Sequence, residues 1–168
     1  MLTIRPAAAP DQERLGRYGG ALLHQHHAAD ARRFIHVASP EPGYGRFLVS
    51  QTAQPGSAVL VADDDGTVIG YVYATIEDTN WMELRGPCGV IQDIYVDETR
   101  RRVGAGRELL RAAIDWIRSQ GRTQVVLHTK TKNENAQHLF ASFGFRSTMV
   151  EMTWDEGDED PVGGKRDG

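Results

Sequence analysis

Residues 90–120 read VIQDIYV, then DETRRRVGAGRE, then LLRAAIDWIRSQ, and no other stretch narrows the possible folds of this chain as far. Seven residues rich in Val, Ile and Tyr predict a strand. From Glu108 onward Leu109, Leu110, Ala113, Ile114 and Ile117 recur at helical spacing, so a helix follows. Between the two lies a basic turn containing Gly104 and Gly106, which carry no Cβ to hold a ligand away from the backbone. Backbone N–H groups of residues 101–106 gather where the helix opens, and Arg101, Arg102 and Arg107 add positive charge. That combination suits a phosphate anion.

Two familiar phosphate-binding turns fail on named residues. A nucleotide-hydrolysing P-loop needs Lys and then Ser or Thr after its last glycine, but Arg107 and Glu108 follow Gly106. A dinucleotide fingerprint needs a third glycine at position 109, which is Leu109. What remains is Arg101-x-x-Gly104-x-Gly106 between a strand and a helix, with Asn133-x-x-Ala136-x-x-Leu139-Phe140 and Gly144-Phe145 downstream. In these motifs the chain resembles the GCN5-related N-acetyltransferases (GNAT) over residues 2–154. The resemblance implies acetyl-CoA as co-substrate, its diphosphate on Arg101, Arg102, Val103, Gly104, Ala105, Gly106 and Arg107. It also implies a pantetheine arm bonded to the backbone of Ile94, Tyr95 and Val96, wedged where the next strand splays away. Asn133 matches the family's cofactor-contacting Asn, and also suits a helix cap. Phe140 stands where many members place a tyrosine near the cofactor sulfur, and phenylalanine has no proton to give a departing thiolate.

Along the rest of the chain, a short strand over residues 2–5 precedes a helix that Asp11 is placed to cap, with Leu15, Tyr18, Leu22 and Leu23 on its apolar face. The run His24-Gln25-His26-His27-Ala28-Ala29-Asp30 follows. No HExxH pattern or Cys set completes a metal site there, so no metal is expected. Polar helix end and acceptor wall are the readings that remain for it. Tyr44, Phe47, Leu48 and Gln51 predict a second helix. Residues 58–62 and 67–76 read as strands around the turn Asp63-Asp64-Asp65-Gly66. A polar loop over residues 77–87 carries Glu83. Residues 124–129, 131–143 and 147–154 predict a strand, a helix and a last strand.

Amine acetylation needs a neutral nitrogen, so a base must take the ammonium proton. Polyamine-acetylating members of the family carry Glu before Asp on the central strand, and here the pair is Gln92-Asp93. Asp93 is one candidate base, with an unperturbed pKa of about 4; a structural carboxylate within the sheet is the other reading, and strand alternation sets it opposite Gln92. His128, at the splayed end of the next strand, is the second candidate. Candidate acceptor contacts are His26, Tyr44, Glu83 and Gln92. No serine elbow is present, and the single cysteine, Cys88, precedes the central strand. Direct attack in a ternary complex is therefore expected, not a covalent acyl-enzyme.

Composition sets the outer bounds. At 168 residues one domain is expected, over residues 1–154. The tail 155–168 holds six acids and two bases, which accounts for the chain's whole net charge of -4, and its Gly and acid content predicts disorder. That charge argues against nucleic acid or an anionic membrane as partner. One cysteine excludes an intrachain disulfide, and no apolar run reaches membrane-spanning length, so the cytoplasm is the expected compartment. The fold expected is a mixed α/β (α+β) sandwich: a mostly antiparallel sheet of six or seven strands flanked by about four helices. The function expected is acetyl transfer to a primary amine, whether small amine, polyamine or amino-acid-like. The alternatives are acylation of a protein N-terminus or lysine, and a CoA-binding module without catalysis. A homodimer through the last strand is also compatible with the resemblance.

Overall fold

The computed structural model describes residues 1–100 and 104–156. Five strands form one sheet: β1 (Leu2–Pro6), β2 (Ser57–Asp64), β3 (Thr67–Glu77), β4 (Cys88–Val96) and β5 (Val125–Leu127), in spatial order β1-β2-β3-β4-β5. The first four pair antiparallel, and β5 lies parallel to β4. Parallel neighbours need a crossover, supplied by α3 (Ala105–Ser119). Two helices, α1 (Gln12–Ala29) and α2 (Glu41–Gln51), connect β1 to β2, and α4 (Glu134–Ala141) follows β5.

The strand count corrects the six or seven expected. Residues 147–154 form no strand, and Met149, Val150, Met152 and Trp154 are exposed. Alternating apolar residues satisfy a strand pattern, but a strand exists only where a neighbour supplies the ladder. Elsewhere the expected elements are present with shifted ends. The turn between β2 and β3 places Asp65 at φ 50° and Gly66 at φ 84°, the left-handed pair that a tight hairpin needs.

The helices fall into two layers. On one face of the sheet α3 and α4 cover Val72, Ala74 and Ile91, with Leu109, Leu110, Ala113 and Ile117 as the buried stripe of α3. On the other, α1 and α2 bring Leu15, Tyr18 and Leu48 against Val59, Val61, Tyr71 and Tyr73. Asp11 sits just before α1, yet its carboxylate turns away from the helix. It accepts from the two terminal guanidinium nitrogens of Arg5, at 2.8 and 2.9 Å, and from the Ala8 N–H. The Arg5 partnership holds its pKa below the usual carboxylate range. Here the sequence expectation of a side-chain cap is corrected: α1 is anchored to β1 through an ion pair instead.

Candidate active site

The end of the β4–β5 ladder sets the geometry of the site. Pairing runs Gly89↔Val125, Val90↔Val126, Ile91↔Leu127 and stops, while β4 continues beside β3 as far as Gly70↔Val96. The two strands therefore part at the level of Gln92, and Ile94, Tyr95 and Val96 lie beyond the fork. Across the α3 face of this opening, helix α3 begins at Ala105, behind Gly104, which has φ 83° and offers no side-chain cap. Among the described residues, a Cβ built on Gly104 meets nothing within 4 Å beyond its chain neighbours. Ala105 is buried under the turn. Arg107 stacks on Phe143 at 5.2 Å and donates to Ser142 Oγ at 3.1 Å, so its guanidinium is held toward the end of α4. Arg101, Arg102 and Val103 lie outside the described residues. Asn133 caps α4, its Oδ1 accepting the Ala136 N–H at 3.3 Å. Phe140 is 6% exposed and packs edge-on to Phe145 in the α3 core.

A β-bulge decides where Asp93 points. The β3–β4 register passes from Tyr73↔Asp93 to Ala74↔Ile91, leaving Gln92 as the extra residue. Without it, Asp93 would share the α3 face with Ile91; one inserted residue turns it to the α1–α2 face. There its Oδ2 accepts two phenol hydrogen bonds, from Tyr44 at 2.6 Å and Tyr71 at 3.1 Å. Burial pushes the Asp93 pKa up, and the Tyr44 and Tyr71 hydrogen bonds and nearby His26 pull it only part of the way back. Both phenols are pushed well above their ordinary range, first by burial and then by the facing carboxylate, so they stay neutral donors.

Asp93 opens onto a cavity of about 190 Å³. Leu22, Leu23 and His26 from α1, Phe34 and Ile35 from the loop after it, and Tyr44 from α2 form its walls. The histidine run proves to be a clamp for that loop. His26 Nδ1 donates to the Leu22 carbonyl at 2.7 Å and its ring meets Phe34 edge-on at 4.9 Å. His27 Nδ1 donates to the Phe34 carbonyl at 2.8 Å, and His24 Nε2 to the Val37 carbonyl at 3.2 Å. Among the described residues no three His, Cys, Asp or Glu side chains gather as metal ligands.

The residues expected at an acceptor site separate into two groups. His26 and Tyr44 line the cavity beside Asp93. Gln92, the bulge residue, is exposed and bonds Thr75 Oγ1 at 2.9 Å and Glu77 at 3.3 Å outside it. Glu83 sits in the exposed β3–β4 loop on Arg85. His128 is exposed just beyond β5, near Glu151, whose carboxyl is held down chiefly by its hydrogen bond from Arg33. Sequence reasoning did not single out Tyr71 for the site, although its alternation with Tyr73 beside the Asp93 strand was a usable signal. It also passed over Gly19, where a Cβ would fall inside 3.0 Å of the Tyr44 ring. That missing side chain lets Tyr44 lie flat against α1 and reach Asp93.

Comparison with known proteins agrees with this architecture. Residues 22–145 match the model of the acetyltransferase (GNAT) family. The chain is 28% identical over 116 residues to the uncharacterized N-acetyltransferase YhfO of Bacillus subtilis, covering 68% of this chain and 75% of that protein. It is 32% identical over 100 residues to human N-acetyltransferase 8, covering 59% of this chain but only 43% of that one. The crystal structure of a tetramutant of the BH1408 protein from Bacillus halodurans superposes with a TM-score of 0.79 at 24% identity, over 91% of this chain and 99% of that one.

Proposed function

Since the chain belongs to the acetyltransferase (GNAT) family, we propose that it transfers the acetyl group of acetyl-CoA to a primary amine in a ternary complex, with Asp93 receiving the amine's proton. The observation that carries this reading is the bulge at Gln92. It sets Asp93, the one carboxylate among the described residues that line the cavity, at the fork between β4 and β5, with the N-terminus of α3 on the opposite face.

Acetyl-CoA supplies the activated acetyl group. The N-terminus of α3 suits its diphosphate, because Gly104 carries no side chain where amides and helix dipole favour an anion. The backbone of Ile94, Tyr95 and Val96, past the fork, would hold the pantetheine arm. On the other face Asp93 draws in the ammonium form of the acceptor, orients it through the fixed Tyr44 and Tyr71 hydrogen bonds, and takes its proton. The nitrogen lone pair then forms the C–N bond as the C–S bond breaks, the sulfur leaves as a thiolate, and the second proton shed by the acylated nitrogen passes to that thiolate or to water. A thiol of ordinary pKa, about 8.5, is an acceptable leaving group near neutral pH without a dedicated acid. On this reading, turnover needs no proton from Phe140, which stands where a tyrosine would supply one.

A thiol-release assay with acetyl-CoA and a panel of primary amines, with calorimetric CoA binding alongside, tests the reading. Turnover on at least one amine together with CoA binding is expected. CoA binding with no acetyl-amine product from any amine would leave only a binding module.

A further inference from the structure

Resting on the reading of the Asp93 cavity as the acceptor site, its walls define the acceptor further. We propose that the acceptor is a monoamine carrying a compact apolar group, an arylalkylamine or branched alkylamine, and not a polycation.

Size is the first argument. The cavity measures about 190 Å³, and an apolar cavity of about 150 Å³ is enough to hold a benzene. A phenyl or isobutyl group fits beside the ammonium. The walls are the second argument. Leu22, Leu23, Phe34 and Ile35 present hydrocarbon, and Asp93 is the single carboxylate among the described residues that line the cavity. A second or third ammonium in this space would lose its water against leucine and phenylalanine without gaining a counter-charge. The acids that touch the loop wall are already engaged. Glu151 receives Arg33, with one bond at 2.9 Å, and Asp30 accepts the backbone N–H groups of Arg32 and Arg33 at 3.1 Å each. The third argument is Ile35. It lines the cavity yet is 71% exposed, an apolar lip left uncovered by the described residues. An acceptor with an apolar body would cover it and gain from doing so.

The test uses the full chain with acetyl-CoA and four acceptors: 2-phenylethylamine, 3-methylbutylamine, spermidine and neamine. Expected is a kcat/KM for both monoamines at least about tenfold above that for spermidine or neamine, a difference of about 1.4 kcal/mol in transition-state binding. In Leu23→Asp, which adds a second carboxylate to the wall, that ratio should fall about tenfold, with the 2-phenylethylamine KM rising. Spermidine or neamine matching or exceeding the monoamines on the unaltered chain overturns the inference and leaves the acetyltransferase reading standing. Thiol release with none of the four while CoA binds also overturns the inference, and the acetyltransferase reading then falls only if the wider amine panel gives no product either.

Discussion

In the proposed reading, the two faces of the sheet build their halves of the site by different means. On the α3 face the parts are backbone: the N-terminus of a helix, a left-handed turn at Gly104 and a strand running past its neighbour. They come from one continuous stretch. On the α1–α2 face the parts are side chains from α1, the loop after it, α2 and β4, far apart in the chain and brought together by packing. A site made of local backbone survives large changes elsewhere, and a site made of distant side chains can be retuned residue by residue. The faces should therefore respond separately to substitution, with cofactor affinity read from one and acceptor kinetics from the other.

Asp93→Asn is the strongest way to break that division. Its Oδ1 can still accept from Tyr44 and Tyr71, so the geometry survives while the base is lost. Acceptor kcat/KM should drop by about a hundredfold or more, and calorimetric CoA affinity should stay unchanged. Stability should move the other way. Burial raises the folded-state pKa of Asp93, so its favourable contribution is complete below about pH 4, the unfolded value, and is lost as pH rises through the folded value. The Asn variant escapes that loss, and its Tm should exceed the parent's at pH 7 and converge with it near pH 4. The same shift places the acid limb of the parent's kcat/KM profile above the ordinary carboxylate range. A variant less stable than the parent at pH 7, or a limb at an ordinary carboxylate position, would show Asp93 to be a structural acceptor.

The legibility of the two halves follows from the same difference. Gly104 after a β-rich run announces the left-handed entry into α3, because sequence spacing encodes local backbone directly. The hairpin at Asp65-Gly66 was readable for the same reason. The direction of Asp93 was not, because alternation counts residues and a bulge adds one; nothing in VIQDIYV marks Gln92 as the extra residue. The histidine run divides between its two readings: His26 lines the cavity, while His24 and His27 clamp the following loop through the Val37 and Phe34 carbonyls, partners that leave no trace in side-chain patterns. Residues 147–154 carried a strand pattern without a partner strand, which local pattern cannot supply.

Two glycine substitutions sharpen the division with smaller effects. Gly19→Ala puts a methyl into the Tyr44 ring. Overpacking of this kind costs about 1–3 kcal/mol of stability. Displacing Tyr44 from Asp93 should lower acceptor kcat/KM by about tenfold, since small misplacements near reacting groups are costly. CoA affinity should not change. Gly104→Ala is the converse: among the described residues a Cβ there meets nothing within 4 Å, but the left-handed φ of 83° costs a side chain about 1–2 kcal/mol. Relaxing that turn re-aims the first amides of α3, and CoA affinity should fall by about fivefold with acceptor KM unchanged. Either variant acting on the opposite ligand would mean that the two faces are coupled through the sheet.

The smallest effect is expected at Glu83. It stands on the β3–β4 loop, outside the cavity, with its side chain 55% exposed and paired to Arg85 at 2.8 Å. Removing its charge still leaves Arg85 bonded to Glu77 at 2.7 Å and to Cys88 Sγ at 2.7 Å, so the loop keeps its anchor. Exposed ion pairs are worth about 0–1 kcal/mol, and Glu83→Gln should change kcat/KM for a monoamine by less than about twofold. A rise in acceptor KM of about tenfold, equivalent to about 1.4 kcal/mol, would carry the acceptor surface onto the loop that also exposes Trp81, Met82 and Leu84. The acceptor would then be long enough to leave the cavity, and a peptide amine would replace the compact monoamine as the substrate that the α1–α2 face is shaped to hold.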